Sequence, residues 1–266
     1  MIIASILVIG IIEQHNRTRP VAPSHKTVPQ APAVVTDDQH ISPPKPTEIT
    51  SAKRTVPILM YHYIRTVTDP KDTLGFNLSI TPTNFEEQLK WLSEHHYHTM
   101  PLNDFCQGKT LEDNPIILTF DDGYDDAYSA ALPLLQKYNF TGTFFIVSGF
   151  VNQPRYVTSE QLKAMGDAGM ELGAHTIKHI DLATASLARQ EQEINGSKQI
   201  SLVFAYPAGR YSADTIGLVK KYGFSCAVTT HYGIATEKSP PYELPRVRIS
   251  GADSLEIFSQ KVTGKK

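Results

Sequence analysis

The chain has 266 residues, of which 41% are hydrophobic, and a formal net charge of −2 at pH 7. This length and hydrophobic content suffice for one sizeable buried core, so one globular domain is expected. The near-neutral charge gives no indication of a polyanionic partner, and nucleic-acid binding is not expected. The two cysteines, Cys106 and Cys226, are far apart and lack the spacing of a metal or redox motif. We therefore expect two buried, unbridged thiols.

The first 54 residues divide into an apolar segment and a proline-rich segment. Residues 1–12 are uncharged and apolar, but they are fewer than the roughly 20 residues that span a bilayer. Residues 1–18 are therefore expected to form an export signal or a membrane anchor. Residues 19–54 are rich in Pro, Thr, Ser and Gln and have no helical or strand periodicity, which predicts an extended tether. Residues 55–266 are the expected folded domain.

Strands and helices alternate along the folded part. Strands are predicted at residues 56–62, 97–100, 116–120, 141–147, 171–175, 202–206, 225–229 and 244–249. Helices are predicted from residue 83 onward and at 126–138, 158–168, 187–199 and 212–222. Thr83 with Glu86, and Thr158 with Gln161, are expected to form capping boxes, and Pro133 to bend its helix. This alternation predicts parallel strands with helices outside them, and the lack of glycine-rich nucleotide motifs favours a barrel over an open sheet.

Two adjacent carboxylates follow the predicted strand 116–120, in the sequence Thr-Phe-Asp-Asp-Gly-Tyr. Repulsion between Asp121 and Asp122 is relieved if one binds a cation while the other holds or shares a proton. Alone, Asp-Asp-Gly is more typical of a solvated turn, and the His175-x-x-x-His179 spacing is more typical of surface histidines. Because the ends of parallel strands converge at one rim of a barrel, the two motifs together predict a metal-assisted hydrolase.

Two further segments could contribute to the same rim. The sequence Phe-Ala-Tyr-Pro-Ala-Gly at 204–209 ends another predicted strand, and a Pro-x-Gly turn can aim a main-chain N–H at a developing oxyanion. A plain strand-to-helix turn is the simpler interpretation of that segment. Arg246, in the last predicted strand, could orient a carboxylate, although a surface salt bridge would also explain it.

These three motifs, in this order, resemble the first three motifs of the polysaccharide deacetylases, also called carbohydrate esterase family 4 or the NodB homology domain. The resemblance covers roughly residues 56–249. It implies an α/β fold, a distorted (β/α) barrel of seven strands that forms a single catalytic domain. It also implies that Asp122, His175 and His179 bind a divalent metal, with Zn²⁺ as the expected ion, and that Asp121 is the general base.

The third motif departs from the pattern of many family members. They carry an arginine that orients the base and a tyrosine further on, where this chain has Ala205 and Ala208. The resemblance leaves the main-chain N–H of Ala208 as an oxyanion donor and allows Arg246 to take the arginine role. Tyr206 and Pro207 are expected to contact the substrate.

The general acid is expected at an unusual place, because no histidine follows Ile249 to supply the family's C-terminal Leu-x-His motif. His62, at the end of the first strand, is the expected acid, and His231 is the alternative. A purely structural histidine remains an interpretation for both. The position of His62 resembles the arrangement in deacetylases of biofilm poly-N-acetylglucosamine.

Taken together, the resemblance predicts a metal-dependent enzyme that removes N-acetyl groups from N-acetylglucosamine-containing polysaccharide. Poly-β-1,6-N-acetylglucosamine is favoured over peptidoglycan and chitin oligomers. An O-acetyl-glycan esterase and a non-catalytic carbohydrate-binding module on the same barrel are the alternatives. We expect an exported monomer of the cell envelope, secreted or tethered through its N-terminus, whose partner is the acetylated glycan.

Overall fold

A computed structural model of the protein describes residues 55–69, 71–109 and 112–265. The predicted signal or anchor (residues 1–18) and the predicted tether (residues 19–54) lie outside the described residues. Within the described part of the chain, no helix combines the length and the apolar character that crossing a membrane requires.

The described residues alternate between strands and helices much as the sequence predicts. The strands are β1 (Thr55–Val56), β2 (Ile58–Tyr61), β3 (His98–Thr99), β4 (Pro115–Phe120), β5 (Thr143–Ile146), β6 (Glu171–Ala174), β7 (Val203–Ala205), β8 (Cys226–Tyr232), β9 (Ala235–Thr236) and β10 (Leu244–Arg248). The α-helices are α1 (Thr73–Leu78), α2 (Pro82–Glu94), α3 (Leu102–Cys106), α4 (Leu132–Lys137), α5 (Ser159–Asp167), α6 (Leu187–Ser197), α7 (Ala213–Lys221) and α8 (Leu255–Thr263). Helices α1, α3 and α8 were not among the predicted elements.

Seven parallel strands close into a barrel in the order β2, β10, β8, β7, β6, β5, β4 and back to β2. The seven-stranded barrel is therefore confirmed. It is distorted where β10 shifts register against β8 between Leu244 and Arg246. Strands β2 and β4 pair with Tyr61 opposite Phe120, so the residues that follow them emerge at the same level of one rim.

Both faces of the barrel wall are buried, which explains why its strands are apolar runs. Along β4, Ile117 packs in the cluster that fills the barrel, whereas Ile116, Leu118 and Phe120 pack against the surrounding helices. Successive side chains of a strand point to opposite faces. Thr119 and Asp121 therefore continue the inward face of Ile117, and this alternation directs the first carboxylate of the pair into the mouth of the barrel.

The first residues of helices α2 and α5 test the two predicted capping boxes. Helix α2 is capped by Thr81, whose hydroxyl accepts a hydrogen bond from the Asn84 N–H (3.2 Å), so the predicted Thr83–Glu86 capping box is wrong. Pro82 suits the first helical position, which places the cap one residue before it. The capping box of Thr158 and Gln161 is present at α5.

The predicted helix 126–138 has a break in its hydrogen-bond pattern. A π-helical turn, Ala127–Ala131, precedes α4, and Pro133 lies in the first turn of α4. Proline has no N–H to donate to the preceding turn, so the change of helical type falls where Pro133 interrupts the ladder.

The cysteines do not remain unbridged as predicted. Cys106, at the end of α3, and Cys226, at the start of β8, form a disulfide with a Cα–Cα distance of 6.1 Å. Their separation of 120 residues concealed the pairing, because the barrel brings α3 and the start of β8 together at the end opposite the strand carboxyl termini. The bond closes a long loop of chain, which makes it a stabilising crosslink.

Candidate active site

The candidate site lies at the carboxyl ends of the barrel strands. His62 follows β2, Asp121 and Asp122 follow β4, and His175 follows β6. The short strands end in polar residues at the rim because their apolar parts fill the core below. This is the face on which barrels of this kind carry their chemistry.

Asp122, His175 and His179 converge on one point. Asp122 Oδ1 lies 3.5 Å from His175 Nε2 and 3.3 Å from His179 Nε2. In the part of the chain that the structure describes, they form the one group of at least three potential ligand residues whose donor atoms all lie within 4.8 Å of each other. The arrangement brings together the three residues that the resemblance assigns to the metal.

The donor atoms of this cluster suit a divalent cation. His175 is buried, and its Nδ1 lies 2.7 Å from the Ala205 carbonyl oxygen. Because that oxygen can only accept, Nδ1 carries a hydrogen, and Nε2 is the ring nitrogen that faces Asp122. Asp122 Oδ1 is buried and has no hydrogen-bond partner among the described residues. An orphaned anionic oxygen beside two imidazole nitrogens fits the preferences of Zn²⁺.

The neighbouring carboxylate, Asp121, is held by an arginine. Arg246 Nη1 lies 2.7 Å from Asp121 Oδ1 and Nη2 lies 2.8 Å from Oδ2, a bidentate pair in which both side chains are buried. The remaining donors of Arg246 bond to the Thr229 carbonyl (2.8 Å) and to Thr119 Oγ1 (3.0 Å). Burial alone would raise the pKa of Asp121, but the Arg246 charge and its hydrogen bonds outweigh burial and hold that pKa well below its usual range.

His62 faces the same carboxylate from β2. Its Nε2 lies 3.9 Å from Asp121 Oδ2, and the side chain is 14% exposed. Burial lowers the pKa of the imidazole below its ordinary value, although the charges of Asp121 and Asp122 oppose that shift. His231, the alternative acid, lies on the exposed part of β8, and its ring centre is 6.0 Å from that of Tyr211.

Strained backbone concentrates at this rim. Nine non-glycine residues of the described chain have positive φ, and four of them belong to the candidate site: Asp122 (76°), Thr176 (67°), His179 (52°) and Ala208 (51°). Such conformations cost about 1–3 kcal/mol each and persist where the surroundings fix them. A β-branched residue such as Thr176 is a genuine outlier there. The backbone is therefore held in place at the positions that orient the candidate side chains.

Tyr206 and Pro207, predicted to contact the substrate, are both buried. The Tyr206 hydroxyl donates to the Tyr242 carbonyl (3.0 Å), and its ring stacks on Tyr211 at 4.3 Å. Their side chains pack inside the turn after β7, and contact of these two residues with a substrate stays a prediction. Exposed Ala208 is the residue of this turn that reaches the rim.

Thr119 is a contributor that the sequence reading did not single out. Its hydroxyl donates to the Leu59 carbonyl (2.7 Å) and accepts from Arg246, so it links the arginine to strand β2. The sequence did contain a signal for this role. Thr119 is a hydroxyl residue in an otherwise apolar strand, and it lies two residues before Asp121, on the same face.

Comparison with known proteins agrees with this geometry. The family model described as polysaccharide deacetylase matches residues 108–227. The chain is 31% identical over 223 residues to "Putative polysaccharide deacetylase YxkH" of Bacillus subtilis (strain 168), covering 79% of this chain and 77% of that protein. It is 26% identical over 271 residues to the poly-β-1,6-N-acetyl-D-glucosamine N-deacetylase of Staphylococcus aureus (strain MRSA252), covering 88% and 92%.

A solved structure gives the same result. The Streptococcus pyogenes deacetylase PplD, determined in complex with acetate, superposes with a TM-score of 0.73 at 30% identity, covering 79% of this chain and 99% of that chain. Shared sequence over most of both chains and a shared fold leave one assignment: this chain belongs to the polysaccharide deacetylase family.

Proposed function

We propose that this polysaccharide deacetylase is a metal-dependent N-deacetylase of N-acetylglucosamine-containing polysaccharide. The observation that carries the proposal is the adjacency of the Asp121–Arg246 pair and the Asp122–His175–His179 cluster. Amide hydrolysis needs a fixed proton acceptor for water and positive charge near the carbonyl oxygen. Poly-β-1,6-N-acetylglucosamine is the favoured substrate, supported by the Staphylococcus aureus relative named for that activity.

Asp122, His175 and His179 would hold the divalent cation, and Zn²⁺ is the expected ion because imidazole and carboxylate are usual ligands of catalytic zinc. When bound there, the cation would polarise the acetyl carbonyl and make water more acidic. The unpartnered Asp122 Oδ1 and the hydrogen bond that orients the His175 ring through Nδ1 support this assignment.

Asp121 would take the proton from the attacking water. Arg246 fixes the orientation of the carboxylate through two hydrogen bonds and keeps it ionised, so it is available as an acceptor at neutral pH. The amine that leaves needs a proton, and His62 is placed to receive the one that Asp121 takes, because His62 Nε2 lies 3.9 Å from Asp121 Oδ2.

His62 would protonate the departing amine, since an amide nitrogen leaves poorly as an anion. Burial lowers the pKa of its imidazole, so a proton that reaches Nε2 is readily given up. The approach of His62 to Asp121 supports it as the acid ahead of His231, which lies beside Tyr211.

The main-chain N–H of Ala208 would stabilise the oxyanion. Ala208 is exposed at the rim and has φ of 51°, a conformation that alanine adopts only where the turn imposes it. A donor fixed in this way needs no rearrangement as charge develops on the carbonyl oxygen.

The expected location is outside the cytoplasm, at the cell envelope. The Cys106–Cys226 disulfide supports export, because such bonds persist mainly in oxidising compartments. The apolar residues 1–12 and the proline-rich tether support attachment near a membrane or secretion. A monomer remains the predicted state.

Acetate release by the full chain loaded with Zn²⁺ tests the proposal, with β-1,6- and β-1,4-linked N-acetylglucosamine oligomers and acetylated xylan as substrates. We expect release from the N-acetylated glycans, fastest with the β-1,6 linkage. Asp121→Asn and His62→Ala should each lower kcat by about 10²-fold or more. His231→Ala is the matched control and should retain activity.

Each alternative has its own outcome. Release from xylan alone would make the protein an O-acetyl esterase. No release from any glycan by the metal-loaded protein would favour a binding module. Full activity of His62→Ala, together with loss in His231→Ala, would transfer the acid role to His231.

A further inference from the structure

The turn that carries His179 is held by a side chain from a different element. Residues 176–179 leave the end of β6 through two left-handed conformations, Thr176 and His179, which cost free energy unless neighbouring groups fix them. Within the turn, the His179 N–H donates to Thr176 Oγ1 (2.9 Å). The N–H groups of Ile177 and Lys178 are not used in this way and point to a carboxylate outside the turn.

That carboxylate belongs to Glu193 in the middle of α6. Its Oε2 accepts from the Ile177 N–H and from the Lys178 N–H, each at 2.8 Å. Its Oε1 lies 2.6 Å from Arg189 Nη2, one helical turn earlier. Glu193 is 0% exposed, so this anion was removed from water to bind main-chain donors. Burying a charge is costly unless it is paired and hydrogen-bonded. Here Oε2 receives both main-chain hydrogen bonds, whereas Oε1 is ion-paired with Arg189 but has no hydrogen-bond partner among the described residues.

The surroundings leave the turn little freedom. The Ile177 carbonyl accepts from the Gly149 N–H (2.9 Å), and a Cβ at Gly149 would come within 2.5 Å of that oxygen. A Cβ on Gly196 of α6 would come within 2.3 Å of the Ile177 side chain. The turn is therefore packed closely between the segment after β5 and helix α6, with Glu193 satisfying its inner N–H groups.

We propose that Glu193 is a positioning residue for the candidate cation site. By fixing Ile177 and Lys178, its carboxylate sets where the His179 imidazole meets Asp122 and His175, and thereby sets the affinity and coordination geometry of the site. This inference rests on the proposed function, since it takes those three residues as the ligands. Partners that orient metal ligands typically change metal affinity by about 10–100-fold when removed.

The test measures Zn²⁺ affinity by competition with a chromophoric chelator, and the visible d–d spectrum of the Co²⁺-loaded protein. Glu193→Gln in the full chain preserves the shape of the side chain, but it weakens the acceptor for the two main-chain N–H groups and removes the charge that pairs with Arg189. We expect its Zn²⁺ affinity to fall by about tenfold, with a shifted Co²⁺ band. Glu191→Gln is the matched control: it makes the same charge change on the same helix at an exposed pair with Lys221, and its affinity should stay within about twofold of wild type.

A second variant protects the test against misfolding. Arg189→Gln leaves the hydrogen bonds from the Ile177 and Lys178 N–H groups to Glu193 in place but removes the cation beside Glu193 Oε1. The Zn²⁺ affinity of this variant should therefore lie between those of Glu191→Gln and Glu193→Gln. Wild-type affinity and an unchanged Co²⁺ spectrum in folded Glu193→Gln would overturn the inference, as would wild-type values in Arg189→Gln if Glu193→Gln does not fold. The inference would also be overturned if Glu191→Gln lowered the Zn²⁺ affinity as much as Glu193→Gln does, because the effect would then come from the change in net charge. A wild-type protein that binds no Zn²⁺ would instead refute the proposed metal site itself.

Discussion

Replacing Arg246 with methionine is the most informative perturbation of the site. Methionine keeps much of the length and apolar volume of the arginine but removes all four of its hydrogen bonds, including both to Asp121. The carboxylate would remain 4% exposed, without its cation. Burial, which favours the protonated form, would then be opposed by much less positive charge, and the pKa of Asp121 would rise.

The expected loss of stability follows from leaving a buried charge unpaired. Removing one partner of a buried ion pair costs about 3–5 kcal/mol. For a domain of roughly this size, each kcal/mol lowers Tm by about 2–4 °C, so Arg246→Met should melt about 6–20 °C below wild type. Loss of an oriented, ionised base should also lower kcat by about 10²-fold or more.

Two further variants separate charge from geometry. Arg246→Lys retains the positive charge but cannot make the bidentate pair, so we expect most of the stability to remain while kcat falls. Asp121→Asn combined with Arg246→Met removes both charges and should be more stable than Arg246→Met alone. Thermal melts and acetate release measure both quantities. A loss below about 1 kcal/mol in Arg246→Met, or strictly additive effects in the double variant, would refute the buried-pair interpretation.

Three further perturbations test other parts of the structure. Asp126 is buried with both oxygens unpartnered among the described residues, and burial, partly offset by Arg65, raises its pKa from 3.8 to about 6. In the unfolded state Asp126 loses its proton near pH 4, whereas the folded state keeps it until about pH 6. The free energy of unfolding therefore falls as pH rises from about 4 to about 6. Asp126→Asn should add up to about 3 kcal/mol at pH 7 and flatten this dependence in urea titrations, and an equal dependence in the variant would contradict the assignment. Cys106→Ser should lose about 2–5 kcal/mol by breaking the bond to Cys226, and unchanged melting under non-reducing conditions would show that the bond contributes nothing. Asp122→Asn, or chelation of the wild-type protein, should abolish acetate release, with activity restored by Zn²⁺ only in the wild type; activity that survives exhaustive chelation would exclude the proposed metal dependence.

The sequence predicted those parts of the site that depend on local pattern. An apolar run ending in Asp121 and Asp122 marks the end of a buried strand, and the same logic locates His175. The pairing of Arg246 with Asp121 was expected only through the family resemblance, because the two residues are 125 positions apart and meet only when β10 and β4 both flank β2. Long-range closure of the barrel, not residue type, makes that contact.

Burial was the least predictable property. Tyr206 was expected to contact the substrate, yet its ring is buried and its hydroxyl donates to the Tyr242 carbonyl inside the fold. Conversely, Glu191 and Glu193 are two similar charges on one helix, yet the side chain of Glu191 pairs with Lys221 at the surface whereas that of Glu193 is buried. The helical phase gave a signal: Gln190, Glu193, Ile194 and Ser197 follow one another at steps of three, one and three residues and form one buried face. Buried polar residues need hydrogen-bond partners. Glu193 accepts hydrogen bonds from the Ile177 and Lys178 N–H groups, in the turn that carries His179.

The adjacent carboxylates acquire different partners because of the backbone, since their side chains are chemically identical. Asp121 continues the inward face of Thr119 and therefore meets Arg246 inside the mouth of the barrel. Asp122 follows at φ of 76°, where the chain leaves the strand geometry and turns its carboxylate to His175 and His179. The guanidinium of Arg246 compensates the charge of Asp121 within the protein. Asp122, in contrast, retains an oxygen without a hydrogen-bond partner among the described residues. The proposed division between proton acceptor and metal ligand thus follows from the strand alternation and one left-handed residue.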